Sequence, residues 1–306
     1  MATIVCLGIA VWDMAFKVPA LPPQPGKLTA STLQQGGGGM AATASVAAAA
    51  LGGEVEYWGR LGDDAQGQQL RDRLQSLGVR VQTAAGGAGT QTPISAVLVA
   101  DNGERTLALY PGRLDDAADW LPLARLANVQ AVHADFRWPQ GARALFTAAQ
   151  AQGLPRVLDA DVGDAATVRS LLPWASHAIF SEAGLAQMAG REMGSNDIDA
   201  ALHLAAALTP GVVAVTLGER GSRFLIDGTL HTVDAFSVAA RDTNGAGDVF
   251  HGAYALALAE GTGAIEAARF ASAAAALKCR NGSGWSAMAD RTAVNHLLHL
   301  DLKASP

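Results

Sequence analysis

Arg241-Asp242-Thr243-Asn244-Gly245-Ala246-Gly247-Asp248-Val249-Phe250 is the stretch that decides how this chain is read. The residues that follow, Val249 to Glu260, are small and apolar and contain no proline. They predict a buried helix of about three turns. Asn244-Gly245-Ala246-Gly247 then lies at a helix N-terminus. Gly245 and Gly247 carry no side chain, which lets a ligand approach the backbone N–H groups. Those groups and the helix dipole form an anion site. Asp248 falls in the first turn, where the same dipole favours an ionised carboxylate. An anion hole beside a fixed base is what phosphoryl transfer to a hydroxyl requires: the base takes the proton and the N–H groups hold the charge on the phosphoryl oxygens. The plainer alternative is a turn with Asp248 as a helix cap.

Composition narrows the function classes. The chain has 306 residues, half of them hydrophobic, with 16% charged and a net charge of −6. No basic run is present, which argues against nucleic acid as a partner. The two cysteines, Cys6 and Cys279, have no metal-ligand spacing, and read as buried thiols of a reducing, cytoplasmic compartment. No apolar run reaches the roughly 18 residues of a membrane span, and the N-terminus reads as a first strand and not as a signal peptide.

Along the chain, Thr3 to Val11 predicts a buried strand followed by Asp13. Pro19 to Lys27 cannot be helix, and Leu28 to Gln35 alternates weakly, as a strand does. Gly36-Gly37-Gly38-Gly39 precedes a small-residue helix that runs to Leu51. These glycines lack the Gly-x-Gly-x-x-Gly spacing of a dinucleotide loop. Glu54 to Gly59 predicts a strand, and Gly67 to Leu77 an amphipathic helix. Asp63 and Asp64 read as turn and cap residues. Thr92 to Ala100 and Glu104 to Tyr110 predict a hairpin around Asp101-Asn102-Gly103. From Trp120 strands alternate with helices: strands at Ala131–Ala134, Arg156–Leu158, His177–Phe180 and Val212–Leu217, and helices at Gly141–Gln152, Leu185–Ala189, Ile198–Leu208 and Ala264–Lys278. That alternation implies parallel strands with helices on both faces and ligands at the carboxyl ends of the strands. Arg137, Asp159, Asp161, Glu182 and Gly218 fall at those ends.

Asp-Thr-x-Gly-Ala-Gly-Asp, the glycine run at 36–39, Gly-Arg-Leu-Gly-Asp-Asp from Gly59, and Thr-x-Gly-x-x-Gly from Thr216 together resemble the ribokinase-like (PfkB) carbohydrate kinases. The resemblance covers Ile4 to Asp290. It implies a three-layer α/β/α sandwich with a mostly parallel sheet, one domain over 1–306, and a small β-sheet lid from about 12–35 and 92–113. It implies ATP and Mg2+, a homodimer joined through the lid, and in some members K+. Carried over residue by residue, Asp248 is the base, and Gly245, Ala246 and Gly247 form the anion hole. Asp13, Gly37, Gly38 and Gly39 meet the sugar. Thr216, Gly218, Gly221, Gly247 and Asn281 meet the nucleotide. Asp242 and Thr243 lie at a monovalent-cation site.

The sequence departs from the family pattern in two places. Ala42 or Thr43 stands where most members have asparagine. Ser181 and Gly184 replace the ends of an Asn-x-x-Glu motif that organises magnesium, leaving Glu182 to act through water or to serve only as a helix-start acid.

Within the family, Ala-Asp-Phe-Arg-Trp from Ala134, Phe-Ser-Glu-Ala-Gly-Leu from Phe180 and Asp-Val-Phe-His-Gly-Ala from Asp248 are similar to the branch of sulfofructose kinases and ketohexokinases. That branch implies phosphorylation of a primary hydroxyl of a ketose, fructose or 6-deoxy-6-sulfofructose, with Arg137, Gly26 and Lys27 toward the substrate's anionic end. Leu109 stands where an asparagine would assist. The alternatives are a kinase for ribose, 2-keto-3-deoxygluconate or fructose 6-phosphate, or a non-catalytic sugar-binding protein. No Walker A lysine, His-Glu-x-x-His or Gly-x-Ser-x-Gly occurs.

Overall fold

The first strand, β1 (Thr3–Gly8), feeds two cores. Ile4 and Cys6 pack on one side of it, Val5 and Leu7 on the other. Such period-two burial with both faces apolar marks a strand inside a covered sheet. The computed structural model describes residues 1–22, 26–84, 87, 89–102, 104–190 and 197–304. Its large sheet has nine strands in the order β13 (Thr229–Val233), β12 (Ser222–Ile226), β11 (Val212–Thr216), β10 (His177–Ser181), β9 (Arg156–Ala160), β8 (Ala131–Asp135), β1, β4 (Glu54–Gly59), β5 (Val79–Thr83). Neighbours pair parallel except β12, which is antiparallel to β11 and β13.

Helices α1 (Met40–Ala50), α2 (Ala65–Ser76), α7 (Ala246–Ala259), α8 (Ala264–Asn281) and α9 (Arg291–Ala304) contribute to one core. Helices α3 (Pro139–Ala151), α4 (Ala165–Leu171), α5 (Glu182–Ala189) and α6 (Ile198–Ala206) contribute to the other. This is the expected three-layer α/β/α sandwich. The alanine excess has a packing reason. A Cβ on Gly252 of α7 would lie 2.2 Å from the Ala44 carbonyl oxygen of α1, so the two helices cross almost backbone to backbone. Among the described residues no helix is long and apolar enough to cross a membrane.

A second sheet of four strands runs in the order β3 (Thr32–Gly38), β2 (Val11–Val18), β6 (Ile94–Ala100), β7 (Arg105–Tyr110). It is the lid, drawn from the two segments expected of it. All six residues of β7 are exposed.

Several boundaries differ from the sequence reading. Thr3 to Val11 is two strands and not one. The chain breaks after Gly8, whose Cβ, if it had one, would lie 2.1 Å from an Asp135 carboxylate oxygen. β3 begins at Thr32 and continues through Gly36, Gly37 and Gly38, paired antiparallel with β2. Asp64 caps α2 as expected, accepting from Gly67 N at 2.8 Å and also from Thr92 N at 2.8 Å. The β6–β7 hairpin forms, with Glu104 N donating to the Asn102 side chain at 3.0 Å. Gly103 of that turn, and Pro23, Gln24 and Pro25 of the proline-rich segment, lie outside the described residues.

Candidate active site

The glycine-rich stretch begins α7 as its composition predicts. Gly245 is the N-cap residue with φ +76°, a left-handed conformation that a side chain would strain. A Cβ on Gly247 would meet nothing within 4 Å, so the N–H groups of this turn are approachable from outside. Asp248 is half-buried in the first turn. Its carboxylate lies 3.6 Å from where a Gly245 Cβ would stand, and the Thr43 methyl is at the same distance. Burial, reinforced by the charge of Asp159 and opposed by His251, holds the Asp248 carboxyl well above the usual carboxylate range. A carboxylate whose pKa is raised by burial is a better proton acceptor than a solvated one.

Beneath this turn lies a buried polar cluster. His251, one turn along α7, sets Nδ1 2.8 Å from Gly247 O and Nε2 3.2 Å from Ile179 O. Burial pushes its pKa down, and a neutral ring can donate to one of these carbonyls. Nδ1 of His251 also lies 3.3 Å from Oδ2 of Asp159, and His133 Nε2 lies 4.0 Å from it. Oδ2 of Asp159 and both His133 nitrogens have no hydrogen-bond partner. Burial and the charges of Asp161 and Asp135 raise Asp159, and burial lowers His133. Sequence reasoning placed Asp159 at a strand end but missed the two histidines. His133 sits in an apolar run, and His251 is distant in sequence from both its carboxylate and its strand partners.

A third buried carboxylate, Asp135 at the end of β8, organises the centre. It accepts from Ile9 N at 2.8 Å, Arg137 N at 2.9 Å and Ala41 N at 3.2 Å. It thereby fixes the start of the lid, the N-terminus of α1 and the turn that carries Arg137. Burial still leaves it raised. The Arg137 guanidinium does not pair with it. Nη2 of Arg137 donates to Val162 O at 2.9 Å, and the group lies 4.4 Å over the Phe136 ring, exposed to solvent.

On the lid, Asp13 sits in β2 and accepts from Ser95 Oγ at 2.7 Å; burial raises its pKa. The bare faces of the 37–39 glycines are taken up by the chain itself. A Cβ on Gly37 would lie 2.2 Å from the Trp285 ring, one on Gly38 2.0 Å from the Asp13 carboxylate, and one on Gly39 2.6 Å from Ile9 O. Gly36 faces open space. Trp285 donates from Nε1 to Thr43 Oγ1 at 3.0 Å, so one of the two residues that stand near the family's asparagine position is engaged by an indole. Gly26 and Lys27 are exposed, and Lys27 makes no ion pair among the described residues.

Of the expected nucleotide residues, Thr216, Gly218 and Gly221 lie at and just after the end of β11, Gly247 in α7 and Asn281 at the end of α8. Thr216 closes β11 with Oγ1 3.3 Å from Phe180 O. Gly218 has φ +59° and open space beside it. Gly221 is glycine for a different reason, since its Cβ would lie 2.1 Å from Val233 O. The Asn281 amide donates to Ala287 O at 3.1 Å, closing the turn after α8. Thr243 O accepts from Ala246 N at 3.2 Å, and Asn244 N donates to the Asp242 side chain at 2.8 Å. Ser181 caps α5 and donates to Asp161 Oδ1 at 2.5 Å, while Glu182 pairs with Arg220. A Cβ on Gly184 would lie 2.4 Å from Ala160 O, so a glutamate could not take that position. Asp161 and Glu182 are hard oxygen donors of the kind a water-bearing Mg2+ accepts. Among the described residues no cluster of three or more His, Cys, Asp or Glu could hold a metal by itself.

A helix N-terminus with an open glycine, a raised carboxylate in its first turn and a separate lid sheet beside a doubly wound sheet are the parts expected of a phosphotransferase. The chain belongs to the pfkB family of carbohydrate kinases, whose profile matches residues 1–289. A crystal structure from Agrobacterium tumefaciens, provisionally named a ribokinase, superposes with a TM-score of 0.92 at 32% identity, covering 99% of each chain. The ribokinase of Arabidopsis thaliana complexed with ribose and ATP superposes with a TM-score of 0.79 at 26% identity, over 97% of this chain and 98% of that one. Fructokinase-2 of Solanum lycopersicum is 28% identical over 69% of each chain.

Proposed function

We propose that this sugar kinase transfers the γ-phosphoryl group of ATP to a primary hydroxyl of a ketose. The observation that carries the reading is the turn at Gly245–Asp248: an open helix N-terminus with a half-buried, raised carboxylate in its first turn. The similarity to a ribokinase seen with ribose and ATP supports ATP as the donor and a sugar as the acceptor.

In this reading the nucleotide lies along Thr216–Gly221, and its γ-phosphate rests on the N–H groups of Ala246 and Gly247. Asp248 takes the hydroxyl proton as the oxygen attacks in line. Asp13, locked by Ser95, accepts sugar hydroxyls, and the lid excludes water that would hydrolyse ATP. Asp161, held by Ser181, and Glu182 would bind through water a magnesium ion that neutralises phosphate charge. The exposed edge strand β7, with Leu107 and Leu109 on it, suits pairing with the lid of a second copy, giving a homodimer.

A sulfonated ketose, 6-deoxy-6-sulfofructose, is favoured over a neutral one by Arg137. Its guanidinium is exposed at a strand end and donates to Val162 O. Lys27, exposed after the proline-rich segment, is a second cation without an ion pair among the described residues.

The test is ATP consumption with fructose, fructose 6-phosphate, tagatose, ribose, 2-keto-3-deoxygluconate and 6-deoxy-6-sulfofructose. The sulfonated ketose is expected to lead by orders of magnitude. A neutral sugar in first place removes the anion reading. Silence with every sugar, together with ATP hydrolysis unchanged in Asp248→Asn, removes the kinase reading for this site.

A further inference from the structure

Lys278 is only 1% exposed, although lysine is seldom buried. It lies in the last turn of α8, where a cation is favoured by the helix dipole. Its ammonium donates to the carbonyl oxygens of Asn244 and, at 3.2 Å, Asp242. The next residue grips the same loop from the other side: Cys279 O accepts from Arg241 N at 2.8 Å and from Asp242 N at 3.2 Å. The charged groups around the ammonium are the carboxylates of Asp242 and Asp248, and the opposing guanidinium of Arg105 from β7, 3.9 Å from Asp242. One lysine thus holds two carbonyls of the loop that leads into Gly245 and the anion hole.

The sequence resemblance places a monovalent cation at Asp242 and Thr243. The donors present do not fit one. The loop carbonyls of Asp242 and Asn244 already carry an ammonium, and Asp242 Oδ1 is engaged by Asn244 N. A dissolved cation there would be repelled by the Lys278 charge at close range. We propose that the Lys278 ammonium is a built-in monovalent cation that holds the 242–245 loop in its working shape, so that phosphoryl transfer needs no dissolved potassium. The proposal rests on the kinase reading above. Lys278 is a positioning residue in it, since it acts through the backbone of the loop.

Two readouts test it. Phosphoryl transfer to the best sugar is measured in KCl, NaCl and choline chloride at equal ionic strength. The wild-type rate is expected to change by less than about twofold among them. Lys278→Ala, which vacates the ammonium position, is expected to lose about 100-fold in choline, as loop misplacement does, and to regain part of that in KCl or methylammonium chloride. Lys278→Arg keeps the charge and is expected to lose less than the alanine variant. The second readout is thermal unfolding without nucleotide or sugar. Wild-type Tm is expected to be the same in KCl and choline chloride, whereas that of Lys278→Ala rises in KCl by about 3 °C.

A wild-type enzyme activated about tenfold by potassium, a wild-type Tm raised by potassium over choline, or an alanine variant as fast as wild type in choline would each overturn the proposal. If no sugar is turned over, the kinase reading falls, and the unfolding arm still decides whether the lysine occupies a cation site.

Discussion

The two ends of the crevice are built on opposite plans. At the proposed phosphoryl end, α7 and α8 are sunk in alanine-rich packing, and the turn into α7 is tied by His251 to Gly247 O, by Lys278 to Asn244 O and by Cys279 O to Arg241 and Asp242. At the sugar end the parts stand on a four-stranded lid, with β7 exposed along its whole length and Arg137 and Lys27 in solvent. Transferring a phosphoryl group makes the same demands whatever sugar receives it, so its machinery can be rigid. Recognition differs between sugars, and surface side chains can change without disturbing a core.

The contrast can be broken first at its strongest point. Asp248→Asn is predicted to lower kcat by about 10³-fold or more while the KM values for ATP and sugar stay near wild type; turnover close to normal would show that the buried end is not where the base lies. Because burial raises Asp248, the acid limb of the kcat/KM profile should fall at a pH well above that of a solvated aspartate. Activity is lost as pH drops through that raised value and is retained above it. A limb near pH 4 would mean the carboxylate is solvated in the working enzyme.

Weaker effects are expected away from the base. Asp13→Asn should lower kcat/KM for the sugar about 100-fold, since a buried charged hydrogen-bond acceptor is lost, and leave the KM for ATP unchanged. An equal loss for ATP would move Asp13 out of the sugar subsite. Arg137→Ala should cost about 30-fold with an anionic sugar and almost nothing with a neutral one; a uniform loss across sugars would make Arg137 structural. Smallest in turnover but visible in stability is Gly252→Ala, whose added Cβ meets a backbone carbonyl and cannot be relieved by a rotamer. A loss of about 1–3 kcal/mol is expected in chemical denaturation, with kcat little changed.

The deeply packed end was also the more legible in sequence. A proline-free apolar run behind Gly-Ala-Gly-Asp predicts a helix N-terminus from local rules alone, and the strand–helix alternation after Trp120 predicts the covered sheet. What escaped depends on distant partners. The break after Gly8 is set by Asp135, more than a hundred residues on, and nothing in Gly-Ile-Ala-Val signals it. Asp135 serves three backbone N–H groups from three segments, which no local spacing signals. Lys278 merely ends a predicted small-residue helix, and only the folded chain brings Asn244 to it. Glycines mislead in a similar way. Gly221 matches a nucleotide-loop pattern, but its bare face is filled by Val233 O, whereas Gly247 does lie open.

Trp285 has an optical consequence. Its indole is 5% exposed, bonded to Thr43 and laid against Gly37 of the lid strand β3. Any swing of that strand changes the polarity around one tryptophan at the heart of the crevice. The molecule therefore carries its own fluorophore for lid motion. Sugar binding should shift the emission wavelength, and Trp285→Phe should reduce the shift to what Trp12, opposite Gly37 on β2, contributes.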